Sequence, residues 1–262
     1  ASGIGRRVDN GKLVAFPART LKPQFGSYAQ RTVANSKLLL EIPENTDLYS
    51  STAAASSLLT SVAPLKFSLD IQPGDTVLIN GATGFAGQLA IQVAKNLGAS
   101  EIIGTGRNPE RLAGLKALGA TQTISLADDD KTIMQNLDNL SVKGNLIILD
   151  YLWGHPIELI LHAIIPNSLA MKRATTLVSI GSIAGPEISL PSKAIRTSGL
   201  QIIGMQTPKV MANQHAVYKA VWDLINSGKI KSDVKTISLE EAATQIDWQK
   251  PVPSGVRTVI KL

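Results

Sequence analysis

The feature that most constrains this chain is Ile79-Asn80-Gly81-Ala82-Thr83-Gly84-Phe85-Ala86-Gly87, a short apolar run that breaks into three evenly spaced glycines and continues as a helical pattern. Asp75 to Asn80 reads as a strand behind a Pro73-Gly74 turn signal. Phe85, Leu89, Val93 and Leu97 then recur every four residues up to Gly98. A strand that turns abruptly into a helix needs one glycine for the turn (Gly81), one where the backbone approaches a ligand (Gly84) and one where helix packs on strand (Gly87). Backbone N–H groups at Thr83 to Ala86 then face an anion at the positive end of the helix. The spacing is Gly-x-x-Gly-x-x-Gly rather than Gly-x-Gly-x-x-Gly, and no Lys-Ser/Thr follows, which excludes a triphosphate-binding loop. The flanking strand and helix favour a dinucleotide pyrophosphate over a merely structural turn.

The same alternation continues downstream. Glu101–Thr105, Thr121–Ser125, Leu146–Asp150, Thr175–Ile180 and Leu200–Gly204 read as strands, with helices over about 109–118, 131–140, 156–165 and 213–226. Asn108 with Pro109 caps the first of these helices, and Asp128-Asp129-Asp130 caps the second. Leu146-Ile147-Ile148-Leu149 is apolar throughout, as a strand covered on both faces must be. Regular strand–helix alternation implies a parallel sheet with right-handed crossovers. The expected fold class is α/β, a doubly wound parallel sheet over residues 55–230. Two β-rich pieces flank it, 1–54 and 231–262, and are expected to pair with each other. Strands are expected at 12–16, 26–33, 37–42 and 256–260, an alanine-rich helix at 50–63, and a capped short helix at Ser238/Glu241 before Pro251 and Pro253.

Composition narrows the function classes. None of the 262 residues is cysteine, so a disulfide scaffold, a thiol nucleophile and every thiolate zinc site are absent from them. The three histidines, at 155, 162 and 215, are too scattered for a metal cluster. The net charge of +6 is spread along the chain with few aromatics, which argues against nucleic acid as partner and leaves an anionic small ligand. No run of 18 apolar residues predicts a membrane span, and the first residues do not resemble a signal peptide, so a cytoplasmic protein is expected.

The end of the second strand of the sheet decides which dinucleotide fits. A carboxylate there would accept hydrogen bonds from the adenine ribose; Gly104-Thr105-Gly106-Arg107-Asn108 has none. Arg107, with Arg111 one turn along the next helix, suits the 2′-phosphate of NADPH, the alternative being two solvated surface arginines. Ligands sit at the carboxyl ends of parallel strands, which brings in Tyr151 and Trp153 after the fourth strand and Gly181-Ser182-Ile183 after the fifth. Tyr151 or Trp153 would cover a flat ring, or Trp153 would be ordinary packing. Trp222 reads as core.

With these residues in view, the chain resembles the medium-chain dehydrogenase/reductase superfamily, in its zinc-independent quinone oxidoreductase-like branch. The resemblance is carried by Gly26-Ser27-Tyr28-Ala29-Gln30, by Ala53-Ala54-Ala55 through Thr60-Ser61, by Asn80 to Gly87 with Ala90 to Lys95 and Leu97-Gly98-Ala99, and by Gly255 to Val259. It implies a Rossmann-type domain with a partial GroES-like substrate domain, and places Thr60 near the nicotinamide. It also implies that the start of the substrate domain precedes Ala1, and that the usual structural zinc loop, expected within residues 9–25, and the later catalytic cysteine near Thr60 are missing. The implied reaction is hydride transfer from NADPH to a quinone or activated alkene. The alternatives are a 2-enoyl or 2-alkenal reductase, or an NADPH-binding structural or regulatory protein. A homodimer joined through the nucleotide-binding sheets around Ile202 is implied as well.

Overall fold

The computed structural model describes residues 3–16, 26–167, 174–245 and 255–262. Pro251, Pro253 and residues 17–25 of the segment considered for a zinc loop lie outside the described residues.

Six parallel strands form the main sheet: β4 (Thr76–Asn80), β5 (Glu101–Gly106), β6 (Gln122–Ser125), β7 (Leu146–Asp150), β8 (Thr175–Ser179) and β9 (Leu200–Gly204). Their spatial order is β6-β5-β4-β7-β8-β9. The chain therefore starts in the middle, winds one way through β5 and β6, and returns to wind the other way. The switch point falls between β4 and β7, where Asn80 pairs with Asp150 at the carboxyl ends. Every residue of β4, β5 and β7 is buried, which accounts for their apolar runs.

Helices α1 (Leu48–Val62), α2 (Phe85–Asn96), α3 (Pro109–Leu118) and α8 (Gln214–Asn226) contribute to the core on one face. Helices α4 (Asp130–Asp138) and α5 (Gly154–Asn167) build the core on the other. Short helices α6 (Ser192–Ser198) and α7 (Pro208–Ala212) flank β9. The sequence pattern missed both, because neither is long enough to show a period. The caps expected from sequence form: Asn108 accepts from the Arg111 N–H and Asp129 from the Thr132 N–H. A further cap, not anticipated, starts α1, where the Asp47 carboxylate accepts from Tyr49 and Ser50. The face of α1 toward the core is built of Ser51, Ala53, Ala54, Ser57, Leu58 and Ser61, and these small residues let it approach α2 closely. A π-helical turn over Ala63–Ser68, which the sequence did not suggest, follows it.

The flanking pieces differ from expectation. Strands β1 (Gly3–Arg6), β2 (Leu13–Phe16) and the two-residue β3 (Leu40–Glu41) form a small antiparallel sheet. The run 26–33, expected as a strand, consists largely of bends. Residues 37 and 38 of the expected 37–42 strand belong instead to a 3₁₀ turn over Ser36–Leu38, nucleated by the Asn35 side chain accepting from Lys37. Local side-chain-to-backbone bonding thus outcompetes the weak strand propensity there. Strand β10 (Val234–Ser238) pairs in parallel with β11 (Arg257–Lys261). Among the described residues each flanking piece pairs within itself, and no ladder joins the two. The small sheet is instead seated on the helical layer, where Trp222 of α8 is buried with Leu13, Ala15 and Ile42, the core position expected for it. Helix α9 (Leu239–Gln245) starts with the reciprocal capping box: Ser238 N–H donates to Glu241 and the Glu241 N–H donates to the Ser238 hydroxyl.

His155, in the first turn of α5, bonds both Asp130 carboxylate oxygens at 3.0 and 3.1 Å and lies 3.6 Å from Glu158. The Asp130 bond raises its pKa above the ordinary histidine value, with Glu158 adding to the effect. A group whose folded pKa is raised contributes stability that is fully present below its unfolded pKa and is lost as pH rises through the folded value. Thermal melts between about pH 5.5 and 8.5 are expected to show wild-type stability declining relative to His155→Ala across that window; parallel curves would contradict the assignment.

Candidate functional site

The glycine turn is fixed by steric contacts that leave no room for side chains. Gly81 has φ +92, and a Cβ there would come within 2.9 Å of Leu152. A Cβ on Gly87 would fall 2.4 Å from the Gly81 carbonyl oxygen and 2.6 Å from the Ala82 Cα, so α2 packs directly on the turn that precedes it. Gly84 has an ordinary extended conformation as N-cap of α2, with no side chain capping the helix. The Gly84 N–H is itself donated to the Gly81 carbonyl at 3.1 Å. Of the Thr83–Ala86 N–H groups expected from sequence, that of Gly84 is therefore spent within the turn; Phe85, Ala86 and Gly87 precede the first intrahelical bond, Gln88 N–H to the Gly84 carbonyl at 2.9 Å. Phe85 turns its ring into the core. Thr83 is buried against Gly106, where a Cβ would meet its side chain at 2.3 Å. The Gly104-Thr105-Gly106 sequence of β5 thus makes room for Ala82 and Thr83.

Beneath the turn lies a buried polar chain across three strand ends. Asn80 donates to Asp150 at 2.8 Å, Thr105 donates to the Asn80 carbonyl oxygen at 2.8 Å, and the Gly81 N–H donates to the Thr105 hydroxyl at 3.2 Å. All three side chains are fully buried. The other Asp150 contacts are the N–H groups of Leu152 and Trp153 at 3.0 and 3.1 Å. Burial pushes the Asp150 carboxyl above the usual carboxylate range, opposed by these backbone bonds and by Asn80. The bonds also hold Trp153 at φ +56, a strained conformation for so large a residue.

The loops after β7 and β8 interlock beside this point. Ala184 N–H donates to the Leu152 carbonyl at 2.8 Å, and a Cβ on Gly181 would meet the Tyr151 carbonyl at 2.6 Å. Tyr151 reaches across to α1, its hydroxyl 3.0 Å from the Thr60 hydroxyl. Thr60 also donates to the Ser57 carbonyl at 2.7 Å, an arrangement in which Tyr151 donates to Thr60. Burial raises the Tyr151 phenol well above its ordinary pKa and keeps it protonated. Ser182 and Ile183 are exposed at the mouth, Ile183 by 86%. Trp153 packs into the core on the opposite face of the sheet.

Of the residues singled out from sequence, the fold brings Thr60, Gly81, Tyr151 and Gly181 into one contiguous wall, with Gly84 to Gly87 beside it. Arg107 is exposed just past β5. Arg111 leans against Gly255 rather than standing free. Arg257, which the sequence reading did not single out for the site, lies close to it. Its guanidinium lies 5.1 Å from the Phe85 ring centroid and donates to the Ser57 hydroxyl at 3.3 Å, which sets a cation beside the first turn of α2. Only tertiary contact between β11 and α2 reveals it.

The family model for zinc-binding dehydrogenases matches residues 86–227, more than half of the chain. The chain belongs to that family. It is a medium-chain dehydrogenase/reductase of the quinone oxidoreductase-like branch. The medium-chain enzyme is 25% identical to the quinone oxidoreductase of Pseudomonas aeruginosa over 247 residues, covering 92% of this chain and 72% of that one. It is 26% identical to a 2-haloacrylate reductase of a Burkholderia species over 231 residues, 86% of this chain and 67% of the other. It spans about half the length of the quinone oxidoreductase-like protein 2 relatives of Nematostella vectensis (47%) and Rattus norvegicus (53%). Its fold matches the crystal structure of a Pseudomonas syringae pv. tomato quinone oxidoreductase with a TM-score of 0.75 at 24% identity, over 99% of this chain and 80% of that one. It also matches the Escherichia coli quinone oxidoreductase complexed with NADPH, with a TM-score of 0.71 at 20% identity, over 91% and 71%. Despite the family's name, these residues contain no cysteine, and among the described ones no three His, Asp or Glu side chains gather to hold a metal. No helix of the described residues is long and apolar enough to cross a membrane.

The steric argument at the turn yields a paired test. Gly87→Ala forces a Cβ into backbone and is expected to lower the melting temperature and abolish nucleotide binding. Gly114→Ala, in the exposed middle of α3 with nothing within 4 Å, is expected to raise stability by about 0.5–1 kcal/mol. Denaturant melts of both variants check this.

Proposed function

We propose that this medium-chain enzyme is an NADPH-dependent oxidoreductase that delivers a hydride to a quinone or activated alkene, acting as a zinc-independent catalyst. The observation that carries the reading is the uncapped first turn of α2 at the switch point, with an exposed Arg107 and no carboxylate at the end of β5. That arrangement suits a pyrophosphate at the helix end and a phosphorylated ribose beside β5. In this reading the N–H groups of Phe85, Ala86 and Gly87 and the Arg257 guanidinium hold the pyrophosphate, with Thr83 and Gly81 shaping the turn. Arg107 and Arg111 take the 2′-phosphate. Thr60, Tyr151 and the Gly181-Ser182-Ile183 backbone line the place for the nicotinamide.

When bound, NADPH supplies the hydride. The chain's own share is to bind, orient and exclude water. Tyr151 fixes Thr60 by donating to it, and its burial keeps that proton in place. In this arrangement the Tyr151 and Thr60 hydroxyls bond each other, and the developing oxyanion is met by a hydroxyl or amide donor or by solvent. In this reading the chain divides at 1–54, 55–230 and 231–262, the first limit falling inside the continuous helix α1 (Leu48–Val62), with the acceptor between the flanking pieces and the sheet domain. Similarity to a 2-haloacrylate reductase supports an activated alkene as the second acceptor class, alongside a 2-enoyl or 2-alkenal reductase. An NADPH-binding structural or regulatory protein is the reading left if no acceptor is turned over.

We also propose a homodimer formed along β9. This strand is the outer edge of the main sheet, and its Gln201, Ile202 and Gly204 are largely exposed. An unpaired edge carrying an exposed isoleucine suits pairing with a second copy.

The function is tested by an acceptor screen over quinones, enones and haloacrylates, following NADPH absorbance with NADH controls. Acceptor-dependent oxidation of NADPH is expected; tight binding with no turnover on any acceptor would favour the regulatory reading. For the site, Arg107→Ala is expected to weaken NADPH about tenfold while leaving NADH little changed, and Arg257→Ala to weaken both about equally. Titration calorimetry separates the two, and equal losses for Arg107→Ala would defeat the 2′-phosphate assignment.

A further inference from the structure

The return segment touches the nucleotide groove at a point with no assigned role. Gly255 is buried and has φ +88. A Cβ built on it would lie 1.5 Å from Arg111 Nη1, 2.7 Å from Arg111 Cζ and 2.9 Å from Gln88 Nε2. The volume that a side chain would fill is therefore occupied by the Arg111 guanidinium. Gln88 on the same spot donates to the Thr83 carbonyl at 3.2 Å, which ties the contact to the glycine turn. At its other end Arg111 is anchored through its backbone N–H, bonded to the Asn108 side chain at 2.9 Å. Its side chain thus bridges from the first turn of α3 to α2 and rests on the return segment.

We propose that Gly255 is a positioning residue for cofactor selectivity: the room it leaves holds the Arg111 guanidinium at the adenosine end of the groove and couples the return strand to recognition of the 2′-phosphate. The inference rests on the NADPH reading above and adds to it a residue far from Arg111 in sequence. Any side chain at 255 meets the tip of a flexible arginine, so the arginine gives way and the surrounding backbone stays. The loss therefore appears in discrimination between the two dinucleotides. The left-handed backbone adds a separate cost to stability, smaller for asparagine than for alanine, which makes Gly255→Asn the second variant.

The test is a double-mutant cycle with wild type, Arg111→Ala, Gly255→Ala, Gly255→Asn and Arg111→Ala/Gly255→Ala, each titrated with NADPH and with NADH by calorimetry. Each single variant is expected to weaken NADPH about tenfold with NADH changed less than about twofold, and the double variant to lose no more than Arg111→Ala alone. Equal losses for both dinucleotides, additive losses in the double variant, or no loss at all would overturn the proposal. A second readout needs no cofactor: modification by phenylglyoxal, mapped by mass spectrometry, should find Arg111 less reactive than Arg107 in the wild type and more reactive in Gly255→Ala. If Arg111 is protected as expected but its removal leaves the NADPH-to-NADH ratio unchanged, the 2′-phosphate reading fails and takes the selectivity claim with it. If Arg111 is equally reactive in both proteins, the positioning itself is refuted.

Discussion

The Asn80 side chain is the contact on which the site depends. With one amide it joins the ends of β5, β4 and β7, accepting from Thr105 and donating to Asp150, on either side of the switch point. Each bond is worth about 1 kcal/mol net, but an orphaned partner in so dry a place would cost about 1–3 kcal/mol. The chain is complete: Thr105 receives the Gly81 N–H, and Asp150 receives two backbone N–H groups from the loop that follows it. The geometry of both loops at the crevice is thereby set from below, before any ligand contributes.

Close packing does the rest. Gly87 against Gly81, Gly106 under Thr83, Gly81 beside Leu152, and Gly181 against Tyr151 are all places where a methyl group would collide. Interiors at this density transmit displacement instead of absorbing it. The turn, the β7 loop and the β8 loop therefore behave as one rigid wall. A wall of this kind can present a row of N–H donors to a dinucleotide without reorganising.

The open side of the groove is built differently, from long cations anchored at one end. Arg257 leans over Phe85 and reaches Ser57, Arg111 leans on Gly255, and Arg107 extends into solvent. Two of the three depend on strand β11 or the turn just before it, far along the chain from the glycine turn. The small antiparallel sheet is tied to the helical layer through Trp222, and the return strands contact α1 as well. The flanking pieces are thus structurally continuous with the groove that the main sheet provides.

By itself the sequence determined the parallel sheet, its strand limits to within a residue or two, and the strand–turn–helix that faces a phosphate. These are legible because burial on both faces forces unbroken apolar runs, because α2 shows a four-residue period, and because Gly81 and Gly87 answer local constraints. It also showed the absence of a carboxylate after β5, which is a matter of composition at one position. Only the tertiary structure decided that residues 26–33 largely bend, that among the described residues no ladder joins the two flanking pieces, and that the Gly84 N–H is spent on Gly81. It alone brought Thr60 to Tyr151 and set Arg111 on Gly255. The last two depend on contacts between residues about ninety to more than a hundred positions apart, where no periodicity or local propensity carries the information.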